Sequence, residues 1–342
     1  MLKITRMKKI VVSLCVGLLF ILQSESQTNY KFRFGSVIPP DSPWEEGINE
    51  YVKKVENKSG GQITFKKYLG GQLGGEVEMI KSIAMGSLDG GAFSTAALAE
   101  ALNIPELETL ELPFLFESDK EADYVMDNLF DVIGKYFEDK GVILIMWGTN
   151  GWRSFGVKNK PIQGPNDLKG LKMRSQESSV YINFYKTMGS TAVPLAIPDV
   201  LMSLKTGMVD GYDQTPIFSY STGWINSVSY FSVTRHIYQP GAIVVSKKFY
   251  DKLDDNLKQA LIVKSERATL QAKSRSLVRA EDQATLEGFP ALGVKVNTLT
   301  KAQRDEFKKA SEPVYKQLES KVGSHIIKLV RNKIKEYQSS SK

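Results

Sequence analysis

The chain has 342 residues, 42% hydrophobic and 24% charged, with 27 Gly, 13 Pro and a formal net charge of +7. That length suits two domains of roughly 100–200 residues each, and no segment is polar or repetitive enough to be disordered. The charge argues against a nucleic-acid binder: it is evenly spread, and the first 26 residues hold four positive charges against one negative, leaving +4 on the remainder.

Residues 1–26 have the layout of a secretory signal peptide. Lys3, Arg6, Lys8 and Lys9 form a basic start, and Ile10 to Leu22 is apolar. That run is shorter than the about 20 residues a spanning helix needs. Ser24-Glu25-Ser26 follows, and cleavage is expected near Ser26. The only cysteine, Cys15, has too few apolar residues before it for a lipid-anchored N-terminus. It is expected to leave with the peptide, so that no thiol, disulfide or Cys–metal site remains. Export without disulfides suits a bacterial periplasm.

Beyond the leader, Tyr30, Phe32 and Phe34 alternate with Lys31 and Arg33, the period of a half-buried strand. Ser42 can cap a helix that has Pro43 in its first turn and Glu45 and Glu46 at its positive end. Trp44, Ile48, Tyr51, Val52 and Val55 share a face of it, and Gly60-Gly61 stops it. Ile63 and Phe65 begin a second strand. Gly70 to Gly75 lacks the order of a phosphate loop and reads as a turn. It leads into a helix with Val77, Ile80 and Ile83 inward and Gly86 at its end. Phe93 to Leu102 carries no clear period, and Leu112 to Phe116 is an apolar loop or short strand.

Val142 to Trp147 is continuously apolar, as in a strand buried on both faces. Val157 is expected to open a strand, Asp167 to cap a turn, and Leu171 to Arg174 to be strand-like. Helices follow over 179–188 and 199–206, the second stopped by Gly207, and Ala242 to Val245 is a strand. Asp254 to Glu287 lacks Gly and Pro, so a continuous helix there reaches about 50 Å, long enough to pack along two domains. Thr300 and Gln303 fit a capping box. Alternating strands and helices give an α/β class with mostly parallel or mixed sheets. The absence of a linker suggests that the chain crosses between domains more than once.

Catalytic motifs are missing. His236 and His325 are the only histidines and are read as structural. No metalloprotease, nucleophile-elbow or Walker spacing occurs, so neither a cofactor nor a metal is expected. Two arginines stand out. Gly148-Thr149-Asn150-Gly151-Trp152-Arg153 directly follows the buried run, and ligands of open α/β sheets bind beyond strand C-termini. Arg174 ends the second strand-like run. Arginine's planar fork matches a carboxylate, so the two can anchor an anion; spacing alone favours the plainer reading, surface or interdomain salt bridges.

The ordered motifs resemble the solute-binding subunits of TRAP transporters, the tripartite ATP-independent periplasmic systems, over about residues 29 to 330. The resemblance is carried by Gly71-Gln72-Leu73-Gly74 with Glu78-Met79-Ile80, Met85 to Asp89, Leu112 to Phe116, Asn150 to Arg153, Asp167 to Arg174, Val209-Asp210-Gly211, His236-Ile237-Tyr238 and Lys247 to Tyr250. It implies a two-domain α/β fold like that of periplasmic binding proteins, with mixed sheets flanked by helices, a cleft between the domains and a long helix shared by both. The expected division is 27–150 with about 240–278, and 151–239 with about 279–342. It also implies a small organic acid held through its carboxylate by Arg174 with Arg153 assisting, hinge closure, and delivery to an ion-gradient-driven permease by a monomer without enzymatic activity. The candidate ligand set is Arg174, Arg153, Gln214, Asn150, Trp152, Ser94, Thr95 and Asp213.

Three departures bear on the ligand. Where the family often has Asp-Gly-Gln-Glu-Asn-Pro, this chain reads Asp210-Gly211-Tyr212-Asp213-Gln214-Thr215-Pro216. Gln214 is the favoured counterpart of the Asn, since its amide also donates; Thr215 is the alternative. The family's helix Glu is Asp199. The acidic position of sialic-acid binders reads Ser94, which argues against an amino-sugar acid. Trp152, Tyr181, Phe218 and Trp224 either line a pocket for a hydrophobic acid or belong to the core, the latter favoured. Dicarboxylate, keto acid, aromatic acid and fatty acid stay open, as does an exported module serving a sensor.

Overall fold

The structure, a computed structural model, describes residues 28–340. The leader and Cys15 lie outside the described residues. One mixed sheet runs through the molecule, nine strands in the order β2-β1-β3-β8-β4-β7-β5-β6, with β9 beside β8. The strands are β1 Tyr30–Ser36, β2 Ile63–Tyr68, β3 Gly90–Ser94, β4 Val142–Val157, β5 Lys172–Ser175, β6 Thr191–Pro194, β7 Gly211–Gln214, β8 Tyr230–Ser246 and β9 Lys295–Thr298. β1 is parallel to β2 and β3, and β5 to β6 and β7. β4 and β8 pair antiparallel along most of their length.

These two strands join the halves. The apolar residues of 142–147 pair with the 242–246 end of β8 inside one lobe, and Phe155 to Val157 pair with its 230–232 end inside the other. Each lobe is covered on both faces, which is why Val142 to Trp147 is apolar throughout. Phe32, Tyr51 and Val245 share a cluster on one face of the first lobe, and Ile83, Phe137 and Val244 one on the other. Phe155, Phe184 and Phe307, and separately Tyr212, Trp224 and Phe231, do the same in the second.

Local signals act as expected in several places. Ser42 accepts from the Glu45 N–H at the start of helix Pro43–Lys58. Thr300 and Gln303 cap helix Lys301–Ala310 reciprocally. Gly86 and Gly207 end their helices with φ of 78° and 76°, a left-handed conformation that costs glycine nothing.

Two expectations are corrected. Gly148 to Arg153 does not lie beyond a strand end: β4 continues to Val157, so Val157 closes a strand and does not open one. Register shifts between Leu144 and Met146, Thr149 and Gly151, and Arg153 and Phe155 let one long strand bend from lobe to lobe. The expected helix 254–287 is broken. Val263 takes φ 39°, separating Asp255–Ile262 from Arg267–Gly288. The latter, about 33 Å long, still reaches both lobes. Gln271 accepts from the Trp147 N–H at 2.7 Å, and Asp282 from the Ile217 N–H at 2.9 Å. The C-terminal helix Ser324–Ser340 also bridges: Val330 and Ile334 join the first lobe's core, Ile326 and Ile327 the second's.

Candidate ligand-binding site

A cavity of about 90 Å³ lies where β4 and β8 cross between the lobes. At the bulge Gly151 has φ 108°, open to glycine and strained for other residues. The irregularity turns the Asn150 side chain to the cavity, while the next residues carry Arg153 beneath it.

Arg174 lines the cavity from β5 and is 2% exposed. Its Nε and Nη2 donate to the Leu195 carbonyl at 3.2 and 2.8 Å, and its guanidinium lies 5.3 Å from the Trp224 ring centre. Among the described residues it has no ion-pair partner. Burial lowers its pKa to about 10, with Arg153 adding repulsion; it stays cationic at neutral pH. Asp213 and Glu76 oppose that lowering only from beyond ion-pair range, and a buried cation with no carboxylate against it is costly unless an anion arrives to pair with it.

Arg153 is also buried but is already matched. Its Nε is 2.5 Å from Asp213 Oδ2, its Nη2 donates to the Asp213 carbonyl, and its Nη1 donates to Gln239 Oε1 at 2.8 Å and Gln214 Oε1 at 3.1 Å. Tyr185 donates to Asp213 at 2.6 Å. Burial alone would push the Asp213 carboxyl up; the Arg153 charge overrides it and holds the group well below the usual range, with His236 helping. His236, 3.5 Å from Asp213, lies nearly parallel to the rings of Phe155 and Phe184, with centroids 4.3 and 5.1 Å away, a buried structural position. His325 is exposed on the C-terminal helix.

Amides complete the wall. Asn150 donates to Gln214 Oε1 at 2.8 Å and to Gln239 Oε1 at 2.5 Å. Gln239 passes the order on, donating to Gln176 Oε1 at 2.7 Å. Gln176 donates to Ser94 Oγ at 2.6 Å, and Ser94 donates to Glu76 at 3.1 Å. Because Gln214 Oε1 also accepts the Thr215 N–H, its amide nitrogen is the end left for a ligand. Glu76 is held with its carboxyl raised by burial, against the Ser94 hydrogen bonds and the two arginine charges.

Of the candidate residues, Arg174, Gln214, Asn150 and Ser94 line the cavity. Arg153 and Asp213 lie behind it. Thr95 is buried with its hydroxyl on Glu111. Trp152 packs on Tyr238 at 5.2 Å and donates to Asp119 at 2.9 Å, outside the cavity. Thr215 caps the following helix through its side chain, which leaves Gln214 at the wall. Of the four aromatics only Phe218 lines the cavity. Glu76, Gln176, Gln239 and Trp44 were missed. Gln176 was within reach, since it lies two residues after Arg174. Glu76 resembled an ordinary helix-start acid, and Trp44 a core residue on its helical face. Gln239 carried no signal. Among the described residues no group of His, Cys, Asp and Glu is arranged to hold a metal, and no helix is long and apolar enough to cross a membrane.

The sequence and the fold are similar to those of known binding proteins. A solute-binding protein of Chromohalobacter salexigens is 29% identical over 84% of each chain. The 2,3-diketo-L-gulonate-binding periplasmic protein of Escherichia coli is 25% identical, covering 86% of this chain and 88% of that one. The sugar acid binding protein of Advenella mimigardefordensis in complex with galactonate superposes with a TM-score of 0.85 at 26% identity, over 90% of this chain and 99% of that one. A TRAP periplasmic solute-binding protein from Sulfitobacter sp. NAS-14.1 with bound β-D-galacturonate gives 0.82 at 28%, over 88% and 99%. The model of bacterial extracellular solute-binding proteins, family 7, matches residues 34–321, and the chain belongs to that family, the solute-binding proteins of TRAP transporters.

Proposed function

We propose that the protein captures a small organic acid in the cleft between its lobes, with the acid's carboxylate on Arg174 and the Gln214 amide, and hands it to a TRAP permease driven by an ion gradient. The observation that carries this is the contrast between the arginines: Arg153 is neutralised by Asp213, whereas Arg174 lines the cavity with its charge unmatched. The sugar-acid ligands of the relatives agree with a carboxylate anchor. Arg153 positions the amides that face the solute. The chain acts by binding and release, without turnover, as a periplasmic monomer. The division expected from the sequence, 27–150 with about 240–278 against 151–239 with about 279–342, belongs to the same reading, with β4 and β8 as the hinge strands.

Calorimetric titration with the tightest acid from a thermal-shift panel tests this. Removing one partner of a buried, hydrogen-bonded charge pair costs about 2–5 kcal/mol. Arg174→Ala is therefore expected to weaken binding roughly 30-fold to several thousand-fold. Arg174→Lys should weaken it too, because Lys lacks the planar fork. Unchanged affinity in Arg174→Ala contradicts the assignment.

A further inference from the structure

The cavity is not polar throughout, and its floor changes character along the sheet. On one face, β3, β8 and β4 place side chains in successive cross-strand rungs. Ala92, Ile243 and Met146 form one rung; the next is Ser94, Gly241 and Gly148. Beyond it come Gln239 and Asn150, the polar end already described. All of these line the cavity. The floor therefore passes from an apolar rung, over a rung where two of three residues have no side chain, to the amides.

The two glycines make room. Neither has a positive φ, so the backbone does not demand glycine there. A Cβ built on Gly241 comes no nearer than 3.5 Å to any neighbour outside the adjoining residues, and one on Gly148 no nearer than 3.8 Å. The space beside Arg174 exists because side chains that would fit are missing. Its roof is Trp44 and Ile48, with Ser274 of the long helix at the edge. The Trp44 indole N–H is already spent on the Thr149 carbonyl at 2.8 Å. The polar side chain at this end is the Ser274 hydroxyl, too little to satisfy a run of solute hydroxyls, each of which loses water on entry.

We propose that this recess takes an apolar group of the solute, so that the ligand is an acid with a short alkyl or aromatic substituent instead of a fully hydroxylated sugar acid. The inference rests on the carboxylate reading, because Arg174 and the amides fix the head that points the substituent across the glycine rung. Burying a side chain of leucine or phenylalanine size adds roughly ten- to a hundredfold in affinity.

The test is calorimetry of the full mature chain with four probes: 4-methyl-2-oxopentanoate, phenylpyruvate, pyruvate and D-gluconate. The wild type is expected to bind at least one of the two substituted keto acids tenfold or more tighter than D-gluconate. Gly241→Val should fill the recess and weaken that acid at least tenfold more than it weakens pyruvate, which has the same head and no substituent to seat. Gly148→Ala serves as a second, smaller filling should the valine disturb folding. Preference for D-gluconate, failure of both substituted acids to bind, or equal weakening of pyruvate and its substituted analogues overturns the recess. Arg174→Ala is measured alongside. Loss of D-gluconate binding in it leaves the carboxylate reading standing when the recess fails. Undiminished binding of a substituted acid in it refutes the anchor while keeping the recess.

Discussion

Arg153 on β4 and Arg174 on β5 are both buried but differ in what each touches, and on the proposed reading that difference separates support from site. The sequence offered both as anion anchors or salt-bridge residues, and no spacing rule says which one Asp213 will meet. Asp282 was equally hidden. It sits on the long helix, accepts the Ile217 N–H, and burial raises its carboxyl to about 7, with Arg235 opposing. An unfolded Asp titrates near 3.9, so the group behaves as a raised carboxyl. Its contribution to stability is fully present below about pH 4 and is lost as pH rises towards 7, while the unfolded chain ionises and the folded one keeps its proton. The loss is a few kcal/mol at 1.36 kcal/mol per pH unit. Asp282→Asn keeps an acceptor for Ile217 and cannot ionise. Urea midpoints at pH 5 and pH 8 should show the variant gaining on the wild type as pH rises; a constant difference contradicts this.

At the scale of elements, capping residues and glycine stops were legible because each acts within a turn of chain. Ser42, Gly86, Gly207 and Thr300 needed no tertiary information. Long strands were not. The apolar pattern of β4 ends at Trp147, where the strand leaves one core, and resumes at Phe155 in another; between them Gly148, Thr149 and Asn150 line the cavity, Arg153 lies behind it, and none of them forms a loop. The break at Val263 had no glycine or proline to announce it. The Gly70 to Gly75 turn also does more than turn: a Cβ on Gly71 would come within 3.2 Å of Pro198, and one on Gly75 within 3.1 Å of Ala196, across the cleft. These glycines let the lobes meet. Gly75 has an ordinary φ of −74°, so Gly75→Leu strains no backbone and acts as a wedge. Affinity falls in proportion to the population that can still close. The expected result is at least tenfold weaker binding by a chain that still melts cooperatively, a little earlier because Gly75 is also a helix N-cap; unchanged affinity contradicts a role in closure.

Over the whole molecule, one sheet serves two lobes. β4 and β8 cross between them, the long helix Arg267–Gly288 and the C-terminal helix pack on both, and the cavity lies at the crossing. The two-lobed α/β class was readable from alternating elements and from the ordered motifs. The single continuous sheet was not, because strand pairing between residues some ninety apart leaves no trace in local pattern. Each lobe contributes part of the cavity wall, Glu76 and Ser94 from one and Arg174 and Gln214 from the other, so on the proposed reading hinge closure would bring the two sets together on the solute. Native mass spectrometry of the exported chain, purified from its own host and then denatured to identify what is released, tests this account most directly. One small carboxylic acid per chain, absent from Arg174→Ala, is the predicted result. A bound species without a carboxylate, or an acid retained equally by Arg174→Ala, contradicts it.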